Sequence, residues 1–211
     1  MSKFLLPLLL FTELLFAQTK SVTHQNLYWL RYYNQLTISK KLVWHNEFEN
    51  RRFFENNRQH HFIAHTRLHY KVLPKTELAA GLTYSLQSPQ DPNASSSLVV
   101  PEIRGVQELS WSQGLTKRFT LQHRFRIDER FIRRNNGTML FEGSDFNFRF
   151  RYRLQGNLLL TKPENPKPLT LKISDELMIN AGKNIVYNQF DQNRLALGFE
   201  KVFDKHFSAP N

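Results

Sequence analysis

The sequence predicts an all-β protein, an antiparallel up-and-down transmembrane β-barrel of roughly ten strands. Three observations carry this. Apolar and charged residues alternate with period two along most of the chain, an apolar leader precedes the alternation, and mean hydropathy is −0.51 although 13% of residues are aromatic.

The low hydropathy excludes a helical membrane protein, because each helical span needs about 20 mostly apolar residues in a row. A strand with lipid on one side and polar space on the other needs an apolar residue only at every second position. The 18 Phe, 7 Tyr and 3 Trp suit such a surface, and 211 residues suffice for one closed barrel. There is no cysteine, which excludes a disulfide framework and thiolate metal sites. The net charge of +11 favours anionic partners. The basic residues are spread along the chain at alternate positions, with no basic tail or helix face, so nucleic acid is not an expected partner.

Residues 1–17 read as a secretory signal peptide and residues 18–211 as the barrel domain. Lys3 supplies the positive start, 4–16 are mainly Leu and Phe, and cleavage is expected after Ala17. Glu13 and Leu15 depart from the usual pattern.

Three segments alternate most cleanly. Over 62–72 the even positions carry Phe62, Ala64, Thr66, Leu68, Tyr70 and Val72, while His65, Arg67, His69 and Lys71 take the odd ones. Over 119–131, Phe119, Leu121, Phe125, Ile127 and Phe131 oppose Gln122, Arg124, Arg126, Asp128 and Arg130. Over 146–155, Phe146, Phe148, Phe150, Tyr152 and Leu154 oppose Asn147, Arg149, Arg151, Arg153 and Gln155. A helix would scatter these charges around its axis; a strand sorts them to one face. Weaker examples cover 27–33, 42–52, 78–86, 102–111, 169–179 and 194–203. Most run about 9–11 residues, the length of a tilted membrane-spanning strand. Gln107 and Asp175 fall on the apolar phase and are expected at a bulge or near an interface.

The connections are expected to alternate, short at 40–41, 74–75 and 113–114, longer at 53–59, 87–100 and 132–145. A proline-rich link at 162–168 and a longer one at 181–191 follow. Short turns on one rim and long loops on the other are a barrel trait. The first connection being short would place the chain start on the long-loop rim, so either the N-terminal segment returns through or beside the barrel or the first strand is misassigned. About nine strands precede 208–211, where a terminal aromatic residue is lacking. Single-chain barrels carry an even number of strands, so one or more terminal strands are expected to be missing.

Alternation alone does not say which face is inside. A soluble lipocalin-like barrel turns its apolar face inward and binds an apolar ligand; a membrane barrel turns it to lipid. Strand length, the leader and aromatics near strand ends (Tyr28, Trp29, Trp44, Tyr84, Trp111) favour the membrane, specifically the bacterial outer membrane.

Several segments resemble the Bacteroidetes-type family of outer-membrane barrels designated DUF2490. They are 122–126 with 129–131, 148–153, 175–180, 190–195, Trp29, and the stretch holding Glu47, Glu49 and Arg51. The resemblance covers about 25 to 200. It implies an outer-membrane barrel and no activity, with outer-membrane lipid including lipopolysaccharide and the barrel-assembly machinery as partners.

The candidate site is the charged lumen: Arg124, Arg126, Arg130, Arg149, Arg151 and Arg153, with Glu47, Glu49, Glu77, Glu102, Glu108, Asp128 and Glu176. If 119–131 and 146–155 form a hairpin, six guanidinium groups stack on one inner wall and need the acids of other strands. The result is a plug of ion pairs or an anion-attracting pore. His61, His65 and His69 share a strand face but span about 13 Å at roughly 3.3 Å per residue, too far for one zinc ion. No metal site and no cofactor are expected. No nucleophile elbow, zinc-binding His-Glu pair or phosphate-binding glycine loop occurs. A lipid-modifying enzyme is the alternative, because some outer-membrane barrels are lipid hydrolases with a His and a Ser on the lipid-facing surface near one rim; His123 is the one histidine on the apolar phase of a strong strand, and no serine pairs with it from sequence. Asn93-Ala94-Ser95 and Asn136-Gly137-Thr138 mark polar loops, the second with an Asn-Gly turn.

Overall fold

The computed structural model describes residues 24–186, 189–204 and 207–210. The leader and the cleavage position at Ala17 lie outside them. Every regular element described is a strand: β1 (Leu27–Thr37), β2 (Leu42–Phe53), β3 (Gln59–Leu73), β4 (Thr76–Gln87), β5 (Val100–Gly114), β6 (Phe119–Asn135), β7 (Leu140–Leu159), β8 (Leu169–Ala181), β9 (Phe190–Asp204) and the short β10 (Phe207–Pro210). Among the described residues no helix is long and apolar enough to cross a membrane.

Each strand pairs antiparallel with its sequence neighbours, giving one sheet in the order β1 to β10. The sheet is strongly curled. Among the described residues no backbone pairing joins β1 to β9 or β10, yet the Arg194 guanidinium on β9 lies 5.1 Å from the centre of the Trp29 ring on β1. The two ends of the sheet thus face each other across a narrow interior.

The pleat sorts the side chains as the alternation requires. On the convex face Leu68, Leu82, Ile103, Phe125, Phe150, Ile173, Leu195 and Leu197 are exposed. On the concave face Glu102, Asp128, Thr83 and Ser85 are at most 1% accessible, and Arg104, Arg126 and Arg130 are buried beside them. The core is polar and the surface apolar.

Three expectations about connections need correction. The polar stretch 132–145 is not a long loop: Ile132 pairs with Asp145 and Arg133 with Ser144, and the chain reverses at 136–139. There Gly137 adopts φ of 88°, and Asn136 Oδ1 accepts from the amides of Thr138 and Met139. A hairpin held by its own backbone ladder needs no apolar face, so polarity alone misled. The short turn falls at 115–118, because β5 continues through Gly114. The β2–β3 connection is five residues, 54–58, rather than long. The turns at 38–41, 74–75 and 115–118 share one rim with the link 160–168. The opposite rim carries 54–58, the long loop 88–99, the β6–β7 tip and 182–186. β1 stands where the alternation places it, so its start does lie on the long-loop rim.

The 88–99 loop folds over that rim. Asn56 and Arg58 both donate to the Pro92 carbonyl at 2.8 Å, Arg58 also to Ala94 at 3.0 Å. Ser96 donates to the Gly137 carbonyl at 2.8 Å, tying the loop to the β6–β7 tip.

Candidate functional site

β6 and β7 pair as the alternation anticipates. Arg124 stands opposite Arg153, Arg126 opposite Arg151, Asp128 opposite Arg149 and Arg130 opposite Asn147. All six arginines therefore face the concave side. Cross-strand like charges repel unless neutralised, and the structure neutralises most of them with acids from other strands.

Three clusters result. In the first, Glu102 on β5 receives Arg104 Nε at 2.7 Å and Arg130 Nε at 2.5 Å, with the Ser85 hydroxyl and Gln87 amide on its other oxygen. In the second, Arg151 donates to Glu176 at 2.8 Å and reaches Asp128 at 3.5 Å; Arg124 takes the same Glu176 at 2.5 Å, and Arg126 takes Asp128 at 2.6 Å. The third lies on β1–β3. There Arg31 reaches Glu47 and Glu49, both at 2.9 Å, Arg67 takes Glu47 at 2.9 Å, and Arg51 takes Glu49. Glu47 and Glu49 therefore serve their own end of the sheet rather than the β6–β7 arginines. Arg149 finds Asp191 of β9 at 2.9 Å, and Glu77 pairs with His69.

Arg31, Arg51, Arg104 and Asp191 were missing from the sequence-derived set. Their period-two phase within β1, β2, β5 and β9 was the available signal; only the curl shows what they meet. Arg51 also lies 4.0 Å from the Trp29 ring centre, and Arg194 5.1 Å from it, so Trp29 turns to the concave side rather than joining an outer aromatic belt. Both guanidinium groups are within cation–π reach of the indole.

The histidines do not gather. His65 Nδ1 is 2.6 Å from the Thr83 hydroxyl, and His69 stacks on His45 at 3.7 Å between ring centres. Among the described residues one buried group offers metal ligands, Glu47, Glu49 and His65, whose ligand atoms lie within 4.8 Å of one another. Arg31, Arg51 and Arg67 already neutralise both carboxylates. A divalent cation would have to displace them and then sit among positive charge, so this donor set does not fit a metal.

On the outer face, His123 stacks on Trp111 at 4.4 Å and 9°, and its Nδ1 is 2.9 Å from the Tyr152 hydroxyl. Its partners are aromatic, part of a ring cluster on the outer face that also holds Phe125. Gln107 is explained without a bulge: its amide donates to Glu129 Oε1 at 2.8 Å on the same outer face. Gly105 opposite leaves room, since a Cβ there would lie 3.1 Å from Glu129 Oε2. Asp175 is exposed on the outer face between Leu154 and Leu195, and no bulge turns it inward.

A curled antiparallel sheet with a charged concave side and an apolar convex side defines a β-barrel-like protein. Its family follows from a match over residues 26–209 to the model described as "Protein of unknown function (DUF2490)". The chain belongs to that family. Comparisons with curated proteins and with solved structures returned no match.

Proposed function

We propose that the protein is a bacterial outer-membrane β-barrel whose lumen is closed by an ion-pair core, a structural barrel rather than an open diffusion pore. One observation carries the membrane reading, the inverted partition of side chains. Water-soluble monomers rarely expose contiguous apolar patches beyond a few hundred Å², whereas here apolar side chains crowd the convex face of every long strand. A lipocalin-like barrel has the opposite arrangement. The nine long strands, 11 to 20 residues each, meet the length that a tilted span requires. On this reading the leader directs export, the assembly machinery inserts the sheet, and outer-membrane lipid, including lipopolysaccharide, covers the convex face.

The closed lumen rests on burial. Glu102, Asp128, Thr83 and Ser85, on the concave side of β4 to β6, are at most 1% accessible, the packing of an ion-pair core rather than of a water-lined channel wall. The 88–99 loop covers one mouth. Heat-modifiable mobility of the detergent-extracted full chain, with flotation on liposomes, is the expected behaviour; recovery as a soluble monomer after osmotic shock would end the membrane reading. In planar bilayers no sustained conductance is expected. A steady porin-like current would reject the closed lumen while leaving membrane insertion intact.

A further inference from the structure

We propose that the short-turn half of the lumen is a binding site for a small dissolved oxyanion, held by Arg124 and Arg153 with Arg126 and Arg67 behind them. The inference rests on the enclosed polar lumen and not on membrane insertion.

Charge is unbalanced there. Arg67, Arg124, Arg126 and Arg151 pair with Glu108, Asp128 and Glu176, Arg153 stands among them, and Glu47, which Arg67 also reaches, is shared with Arg31. Arg151 shares both of its acids with Arg124 and Arg126. Arg153 is left without an ion pair to any described carboxylate, directly opposite Arg124.

Hydrogen bonding is incomplete at the same place. Among the described residues Arg67 Nε, Arg124 Nε, Arg126 Nη2 and Arg153 Nε are buried donors without partners, and Glu108 Oε2 is a buried acceptor without one. Arg67 and Arg126 are 7% and 4% accessible. The Glu108 carboxylate stands 3.8 Å from Arg67 Nη1 and 3.9 Å from Arg124 Nε. An N–H···O bond needs about 2.7–3.2 Å, so Glu108 offsets charge without engaging these donors.

Unsatisfied guanidinium groups in a water-poor site call for an acceptor that also carries negative charge. A water molecule supplies the first property only. Guanidinium forks match the oxygens of a planar or tetrahedral oxyanion, and the Arg side chains point away from the convex face, so a dissolved anion rather than a lipid headgroup fits. The approach is donor-rich. Gln155 lies between Arg153 and the rim, its amide directed to Asn157 at 2.7 Å. On that rim Lys117, Arg118 and Lys162, against the single acid Glu164, line an open surface depression between the β5–β6 turn and the β7–β8 link. Basic rims raise the local concentration of anions.

The test uses the full chain refolded in octyl glucoside, a neutral detergent without phosphate, titrated calorimetrically with sodium phosphate and sodium sulfate, with sodium chloride as reference at equal ionic strength. One saturable site per chain is expected, weakened at least tenfold by R153Q and unchanged by R52Q on the outer face of the other rim. R153Q strands no carboxylate, so it is expected to fold. Should it not, a phosphate-induced rise in the wild-type unfolding temperature, larger than that from chloride, carries the test. No saturable heat above chloride, or equal affinity of a folded R153Q, overturns the site. Liposome flotation of the same preparation reports the membrane reading separately.

Discussion

Replacing Glu102 by Gln tests whether the ion-pair core holds the fold. Glu102 is 1% accessible and is the shared acceptor of Arg104 and Arg130, themselves 4% and 6% accessible. Removing one partner of a buried pair costs roughly 3–5 kcal/mol, because a charge remains without compensation. Gln keeps the shape and one carbonyl acceptor, which puts E102Q near the lower bound, about 3 kcal/mol. Urea slopes run about 1–3 kcal/mol/M and rise with size, so at the upper end the midpoint falls by about 1 M. The assay is reversible urea unfolding of the refolded chain, followed by tryptophan fluorescence. D145N is the control. It breaks the Arg134–Asp145 pair on the protruding hairpin, 3.1 Å long with side chains 56% and 49% exposed, where about 0–1 kcal/mol is expected. If E102Q shifts the midpoint no more than D145N, the buried pairs do not carry the stability assigned to them.

Two further substitutions probe the sheet and its surroundings. Gly81→Ala would place a Cβ 2.0 Å from the Thr66 carbonyl oxygen and 2.7 Å from Arg67 Cα, a backbone collision on β3. The cost is expected to reach or exceed the roughly 1–3 kcal/mol of ordinary overpacking, seen as loss of the heat-modifiable band; a normal band would contradict the close approach. Phe150→Arg lies between Ile127 and Ile179 on the convex face. It is expected to cost about 2–4 kcal/mol in vesicles if that position faces mid-bilayer lipid, and a neutral result would place it outside the hydrocarbon.

Much of this fold was legible because side-chain alternation is a local property. All nine long strands contain the segments read from the sequence, and the facing of Arg124 through Arg153 followed once the β6–β7 hairpin was assumed. Strand ends were less legible. The polar hairpin at 132–145 and the continuation of β5 through Gly114 are fixed by backbone pairing, which polarity does not report. Glu129 escaped notice on the apolar phase because a single polar residue in a strong strand looks like noise until Gln107 is beside it. Least legible were the partners of the charges. Arg124 and Glu176 are 52 residues apart, and their meeting depends on the register of three strands and the curvature between them.

The ion pairs that skip a strand say most about how this sheet is curled. Backbone ladders join only neighbours and leave curvature weakly specified. Arg67 on β3 reaches Glu108 on β5, Arg124 on β6 reaches Glu176 on β8, and Arg149 on β7 reaches Asp191 on β9. Each spans the chord of a bend, and flattening the sheet would pull it apart. Trp29 completes the series, within cation–π reach of both Arg51 on the adjacent strand and Arg194 from the far end of the sheet. Shifting a strand by one residue would turn its arginines outward and strand their carboxylates inside. The charged interior therefore fixes register and curl together, which an apolar filling, being non-directional, would do less strictly. It also accounts for the surplus of arginine: where carboxylates are shared between guanidinium groups to tie several strands at once, some positive charge is left over, and it collects around Arg153.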